Sequence, residues 1–128
     1  MQSIVLIMRR KPVATALRQR IQDNARDLDL VISCVYEYDQ APDLVRQDEG
    51  TAALIEVAEY GMFNLSYCLK LCAVLRETTS RCRILLLCPE EEEDIVAAAL
   101  KAKQDQLIDD YIFYDATLDY MASKILTL

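Results

Sequence analysis

A chain of 128 residues with 53% hydrophobic and 27% charged residues has the size and balance of one folded domain with its own core, which excludes a disordered chain. Its 21 acidic against 14 basic residues give a formal net charge of -7, which argues against a general nucleic-acid surface, because phosphate binding wants a positive footprint. No apolar run approaches the roughly 20 residues of a membrane span, and the first residues lack a basic leader and a small-residue cleavage site, so a cytoplasmic protein is expected.

Ser3 to Met8 is apolar without alternation, as in a central parallel strand covered on both faces. It ends in Arg9-Arg10-Lys11. Pro12 suits the first turn of a helix. Val13, Leu17 and Ile21 then recur at helical spacing, with Arg18, Gln19, Gln22 and Asp23 between them, and predict an amphipathic helix ending near Asn24. Leu28 to Tyr36, rich in branched residues, reads as a second strand. Pro42 opens a short second helix with Leu44 and Val45 that ends near Gly50. Ala52 to Ile55 is a third apolar run, which takes a carboxylate at Glu56 and reaches a glycine turn at Gly61. From Met62 the pattern is helical: Leu65, Cys68, Leu69, Cys72 and Leu75 make the apolar stripe, and Thr78-Thr79-Ser80 ends it.

Arg83 to Cys88 is the fourth strand, stopped by Pro89. Glu90 to Asp94 is an acidic run at a predicted helix N-terminus, where the helix dipole favours negative charge. It reads as a solvated cap, with an acidic partner-facing patch or a metal site as alternatives. Ile95 to Ala102 continues as the fourth helix, Tyr111 to Tyr114 is a short fifth strand, and Leu118, Met121, Ala122, Ile125 and Leu126 mark the last helix. Five strands alternating with five helices argue for a mainly parallel, three-layer α/β sandwich. No repeat, linker or low-complexity segment interrupts the pattern, so residues 1–128 are expected to form a single domain.

Histidine is absent, which removes the commonest metal ligand and general base together. The cysteines, Cys34, Cys68, Cys72, Cys82 and Cys88, are odd in number and do not make a disulfide framework. Cys68 and Cys72, four apart on one helix face, read as small buried hydrophobes; a zinc site would need two further ligands at suitable spacing. In open α/β sheets the strand C-termini gather on one edge and carry the site. Here that edge collects Arg9, Arg10 and Lys11, then Glu56, Cys88 and Tyr114. The two glycines, Gly50 and Gly61, give no phosphate loop after the first strand. Cations stand there where magnesium-assisted phosphoryl chemistry would need carboxylates. Pro89 denies Cys88 the backbone N–H that would help activate a nucleophile. No catalytic set, metal site or cofactor is expected. Glu56 is either a solvated carboxylate at a strand end or the centre of the site.

The order and spacing of the elements resemble the receiver domain of bacterial two-component response regulators over essentially the whole chain. The resemblance implies a doubly wound (βα)5, flavodoxin-like fold with sheet order 2-1-3-4-5. It sets Glu56, before Tyr60-Gly61, at the place of that family's phosphate-accepting aspartate. Arg9 and Arg10 match the family's acidic pair, Cys88 its threonine or serine, Tyr111 its switch aromatic, Tyr114 its lysine and Asp115 the proline after it. The frame is kept and the phosphorylation residues are replaced, the pattern of a degenerate, or pseudo-receiver, form.

The resemblance implies a phosphorylation-independent regulatory domain, not an enzyme, working through protein–protein interaction in signal transduction or transcriptional regulation. Its partners would be another protein or a fused output domain, with a homodimer through the fourth helix, fifth strand and fifth helix. An alternative is a small flavodoxin-like enzyme or an anion- or nucleotide-binding domain that uses Arg9, Arg10 and Lys11. A purely structural or oligomeric domain is the third reading. Strands one and three of such a sheet lie about 4.8 Å apart, so Glu56 is expected to pair with Arg9, Arg10 or both.

Overall fold

A computed structural model describes residues 2–89 and 92–128. The elements run β1 (Gln2–Ile7), α1 (Lys11–Asn24), β2 (Leu30–Val35), a 3-10 turn (Tyr38–Gln40), α2 (Ala41–Gln47), β3 (Ala52–Glu56), α3 (Leu65–Thr78), β4 (Arg83–Cys88), α4 (Glu93–Gln104), β5 (Asp110–Phe113) and α5 (Leu118–Leu126). The five strands are parallel and ordered β2-β1-β3-β4-β5. This is the doubly wound (βα)5 fold.

Alternation along the strands divides the core into two layers. Val5, Ile7, Ala53, Ile55, Ile84 and Leu86 face α2, α3 and α4, meeting Val45, Cys68, Leu71, Cys72, Leu75 and Ala102. Ile4, Leu6, Leu54, Leu85, Leu87 and Ile112 face the other way, onto Leu17 and Ile21 of α1 and Met121, Ala122 and Ile125 of α5. Burial on both faces explains why these strands read as unbroken apolar runs.

Several boundaries differ from the sequence expectation. β3 stops at Glu56, and α3 begins at Leu65, not Met62. Gly61 turns the chain at φ 91°, a conformation open to glycine without a Cβ penalty. Asn64 then caps the helix, its side chain accepting the Tyr67 N–H at 3.0 Å. The buried stripe of α3 is Cys68, Leu71, Cys72 and Leu75, while Leu65 and Leu69 are only half-buried. Glu92 is the N-cap of α4, and Glu93 and Asp94 are exposed in its first turn. Glu90 and Glu91 of the acidic run lie outside the described residues.

At the N-terminal end of the sheet Arg76 ties three segments together. Its guanidinium donates to Leu107 O at 3.0 Å, Cys82 O at 2.5 Å and Asp109 Oδ2 at 2.8 Å, and the same Asp109 oxygen accepts the Ile84 N–H at 2.7 Å. The two sheet edges contrast. β5 has four residues and is guarded by Asp110, which pairs with Lys103 at 3.2 Å and Lys124 at 2.6 Å. β2 has six residues, LVISCV, and no charge or proline.

Candidate functional site

β1 and β3 are neighbours, with Ile7 opposite Ile55, so the next residues along, Met8 to Arg10 and Glu56, meet at the C-terminal edge. Glu56 is 1% exposed and points to the α1 side of the sheet. Its Oε1 accepts the backbone N–H of Arg9 at 2.7 Å and of Arg10 at 3.1 Å, and its Oε2 accepts Arg10 Nε at 2.5 Å. This is a buried carboxylate with three donors, not a solvated one. α1 has no side-chain cap of its own, since Arg10 stands at the N-cap position and Pro12 follows in the first turn. Glu56 supplies acceptor and negative charge to that helix end from across the sheet, where the dipole favours an anion.

Arg10 has a second neighbour. Its guanidinium carbon lies 4.0 Å from the centroid of the Tyr114 ring, a cation–π contact that holds the arginine between ring and carboxylate. Tyr114 donates its hydroxyl to Val57 O. Burial, with the nearby Glu56 charge, pushes the Tyr114 phenol up to about 12, and Arg10 opposes the shift. On the other face of β3 the Tyr38 hydroxyl donates to Glu56 O at 2.6 Å. The Tyr38 ring is fully buried and stacks on Phe63 at 4.1 Å, and Tyr67 meets Phe63 edge-on at 5.2 Å. The carbonyls of Glu56 and Val57 are thus held by one tyrosine from each layer.

Of the remaining candidate positions, Arg9 offers Glu56 only its backbone N–H, and its side chain is exposed. Lys11 is turned toward β2, with Nζ 5.0 Å from the Tyr36 ring centroid. Cys88 is fully buried, and burial pushes its thiol up to about 12. Cys68, with Sγ 3.5 Å from Phe63 O, is held at about 12 chiefly by burial as well. Tyr111 is half-buried and meets Phe113 edge-on at 5.9 Å, on the face opposite Tyr114. The site therefore joins Glu56, Arg10 and Tyr114, and leaves Lys11 and Tyr111 outside it. Tyr38 and Phe63 were not singled out by the sequence; the fully buried Tyr38 and the half-buried Phe63 cover each other from positions 25 residues apart in the chain.

A divalent cation does not fit this arrangement. Both Glu56 oxygens face donors, one of them a guanidinium. Among the described residues no three His, Cys, Asp or Glu side chains gather to hold a metal, and no helix is long and apolar enough to cross a membrane.

No protein-family model matches the chain, and no curated protein matches it. Solved structures do. A CheY-like response regulator receiver domain protein from Methanospirillum hungatei superposes with a TM-score of 0.76 at 10% identity, covering 98% of this chain and 91% of that one. A protein described as an adenylate cyclase from Rhodopirellula baltica gives 0.78 at 10% identity, over 98% and 84%. A member of a family of streptococcal redox sensors described as evolved from two-component response regulators gives 0.75 at 17% identity, over 98% of this chain and 50% of that one. With the strand order and the helices on both faces, these likenesses give the chain the fold of response-regulator receiver domains.

Proposed function

We propose that residues 1–128 form a single receiver-like regulatory domain that does not work by phosphorylation, and that acts in signal transduction or transcriptional regulation through contacts with other proteins. The observation that carries this reading is the Glu56 site. The carboxylate at the end of β3 is buried, and its oxygens are taken by Arg10 and the N-terminus of α1. A carboxylate with each oxygen bound to a donor is a poor nucleophile, and a phosphodonor could not approach without displacing Arg10. The cation stands where the receiver chemistry would bring magnesium. Glu56 is thus read as a degenerate acceptor position turned into a structural lock. The redox-sensor neighbour supports the idea that this frame can serve other signals.

The alternative, an anion or nucleotide site on the basic run, is less well supported, because Arg10 is committed to Glu56 and Lys11 to Tyr36. The domain is read as non-enzymatic and cytoplasmic, passing its signal to a protein partner or a fused output domain. A homodimer through α4, β5 and α5 is part of the same reading. Its support is Leu100 on α4 and Tyr120 on α5, both large, apolar and exposed, and aromatic or apolar anchors suit interfaces. Light scattering across a concentration series tests it, and a monomer at every concentration counts against it.

The test of the main reading is incubation with acetyl phosphate and magnesium, followed by intact mass. An unchanged mass is expected for the natural chain and for Arg10→Ala. Stoichiometric, magnesium-dependent phosphorylation of the natural chain at Glu56 would overturn the proposal. A reproducible thermal shift with one nucleotide, flavin or phosphate would favour the alternative.

A further inference from the structure

The edge of the sheet at β2 differs from the guarded edge at β5. Gln2 N–H donates to Asp29 O and Met8 N–H to Val35 O, each at 3.0 Å, and Ile4 stands opposite Ile32. In a parallel ladder this bonding turns the backbone groups of Val31, Ser33 and Val35 toward β1. The N–H and C=O groups of Leu30, Ile32 and Cys34 then face outward, and among the described residues no strand lies beyond them. The usual protections of an edge, a charge, a proline or a bulge, are missing from this strand. α2 has only 7 residues against the 14 of α1. It leaves the start of β2 uncovered, with Val31 42% exposed beside Leu28 at 51%. At the other end of the strand a groove of about 540 Å³ runs between α1 and α2, lined by Lys11, Cys34, Tyr36, Glu37, Asp43 and Leu44 among others.

Charge identifies the occupant. Residues 23–49, which build this edge and α2, hold eight carboxylates against two cations, Arg26 and Arg46. Arg26 lies 3.7 Å from Asp23 and Arg46 lies 3.1 Å from Asp43. The net charge of this stretch, -6, is nearly the whole of the chain's -7. On α1, Lys11 sits over Tyr36, and Arg18 is near enough to act on the Tyr36 phenol. A second copy pairing antiparallel through β2 would bring Asp27 and Asp29 of one chain toward Glu37 and Asp39 of the other, and like charges would oppose it. We propose that the β2 edge takes up an extended, lysine- or arginine-bearing segment of a partner protein by strand addition. Main-chain hydrogen bonds to Leu30, Ile32 and Cys34 would hold it, Val31 and Leu28 would meet its apolar side chains, and the acidic surroundings would select its charge. The proposal is independent of the Glu56 site.

The test uses the full chain and a short acetylated peptide of alternating lysine and valine. Its controls are the glutamate–valine peptide and the lysine–valine peptide with a central proline. Binding is read by fluorescence anisotropy at low and raised salt, and amide exchange at single residues by NMR. The lysine–valine peptide should bind at least about tenfold more tightly than either control, weaken with salt, and slow exchange at Leu30, Ile32 and Cys34. Val31→Lys should weaken that binding about tenfold, which is about 1.4 kcal/mol, with an unchanged denaturation midpoint. Equal binding of the proline peptide, protection elsewhere, or no binding would overturn the proposal. Protection of the same three amides that grows with protein concentration, without peptide, would assign the edge to a second copy and also overturn it.

Discussion

Arg10 is 41% exposed while the carboxylate it serves is 1% exposed. Removing it leaves Glu56 with two backbone donors and an uncompensated charge. For fully buried pairs such a loss costs about 3–5 kcal/mol; with Arg10 open to solvent we expect about 1.5–3 kcal/mol for Arg10→Ala, the range of a hydrogen bond to a charged group. Urea unfolding measures it. Tyr114→Phe should keep the ring under Arg10 and lose only the bond to Val57 O, so it should cost less than Tyr114→Ala. The cysteines make a separate prediction. All five are free, Cys34 is half-buried, and Cys68, Cys72, Cys82 and Cys88 are buried with thiols pushed above the ordinary value of 9.0, in each case chiefly by burial. A thiolate reagent at neutral pH should therefore modify Cys34 alone in the native protein, and all five in denaturant. Fast native labelling of Cys68 or Cys88 would contradict their burial.

At the scale of elements, the helix ends and the Arg76 clasp set the local stabilities. Asn64 caps α3, and Thr117 caps α5 by accepting the Tyr120 N–H at 3.1 Å. Asn64→Ala or Thr117→Ala should each cost about 1 kcal/mol. Arg76→Ala should cost about 3 kcal/mol, because it takes the guanidinium from a largely buried carboxylate, which keeps the Ile84 N–H, and a donor from each of two carbonyls. Arg20→Ala, which breaks an exposed pair with Asp119, should leave the urea midpoint nearly unchanged. If the two arginines cost the same, the clasp has no special role. Elements of this kind were legible to different degrees. The strands could be read because burial on both faces leaves continuous apolar runs, as in residues 84–88 of β4. The start of α3 is displaced from the sequence expectation because the residues from Met62 keep helical spacing while Gly61 and Asn64 delay the first turn. Leu71 rather than Leu69 belongs to the buried stripe, since four-residue steps from Leu65 lead along one side of the helix and the buried stripe is centred beside them. The nearness of Glu56 and Arg10 could be read from neighbouring strand ends. The two backbone donors and the Tyr114 ring could not, because they depend on how the first turn of α1 and the end of β5 approach.

For the whole molecule, the raised thiols and phenols imply a weakness at high pH. Groups whose folded pKa exceeds the unfolded value hold protons more tightly in the native state. Their contribution is complete below the unfolded pKa, near 9.0 for the thiols and 10.0 for Tyr38 and Tyr114, and is lost as pH rises toward the folded values. Stability should therefore be flat through neutral pH and fall above about pH 9, by up to about 1.4 kcal/mol per pH unit for each group that is fully titrating in the unfolded chain alone. Urea midpoints measured from pH 7 to 11 check the sign; a rise above pH 9 would contradict it. At acid pH Asp110 acts in the opposite sense. Burial would raise its pKa, but hydrogen bonds from Lys124, the Tyr111 N–H and Lys103 outweigh burial and lower it. The stability it gives is present above the ordinary carboxyl value of 3.8 and is lost as pH falls below it.

The cap that α1 receives from Glu56 has a consequence for the order of folding. The backbone N–H groups of Arg9 and Arg10, which lead into a helix that begins at Lys11, are held by a side chain 46 residues beyond Arg10. Those two N–H groups find this acceptor only once β3 has been made and has docked beside β1. That delay couples the earliest helix to a non-local contact, which slows folding more than a local cap would. Glu56→Ala should therefore loosen the start of α1 selectively. Amide exchange there should quicken well before the far end of the same helix is affected.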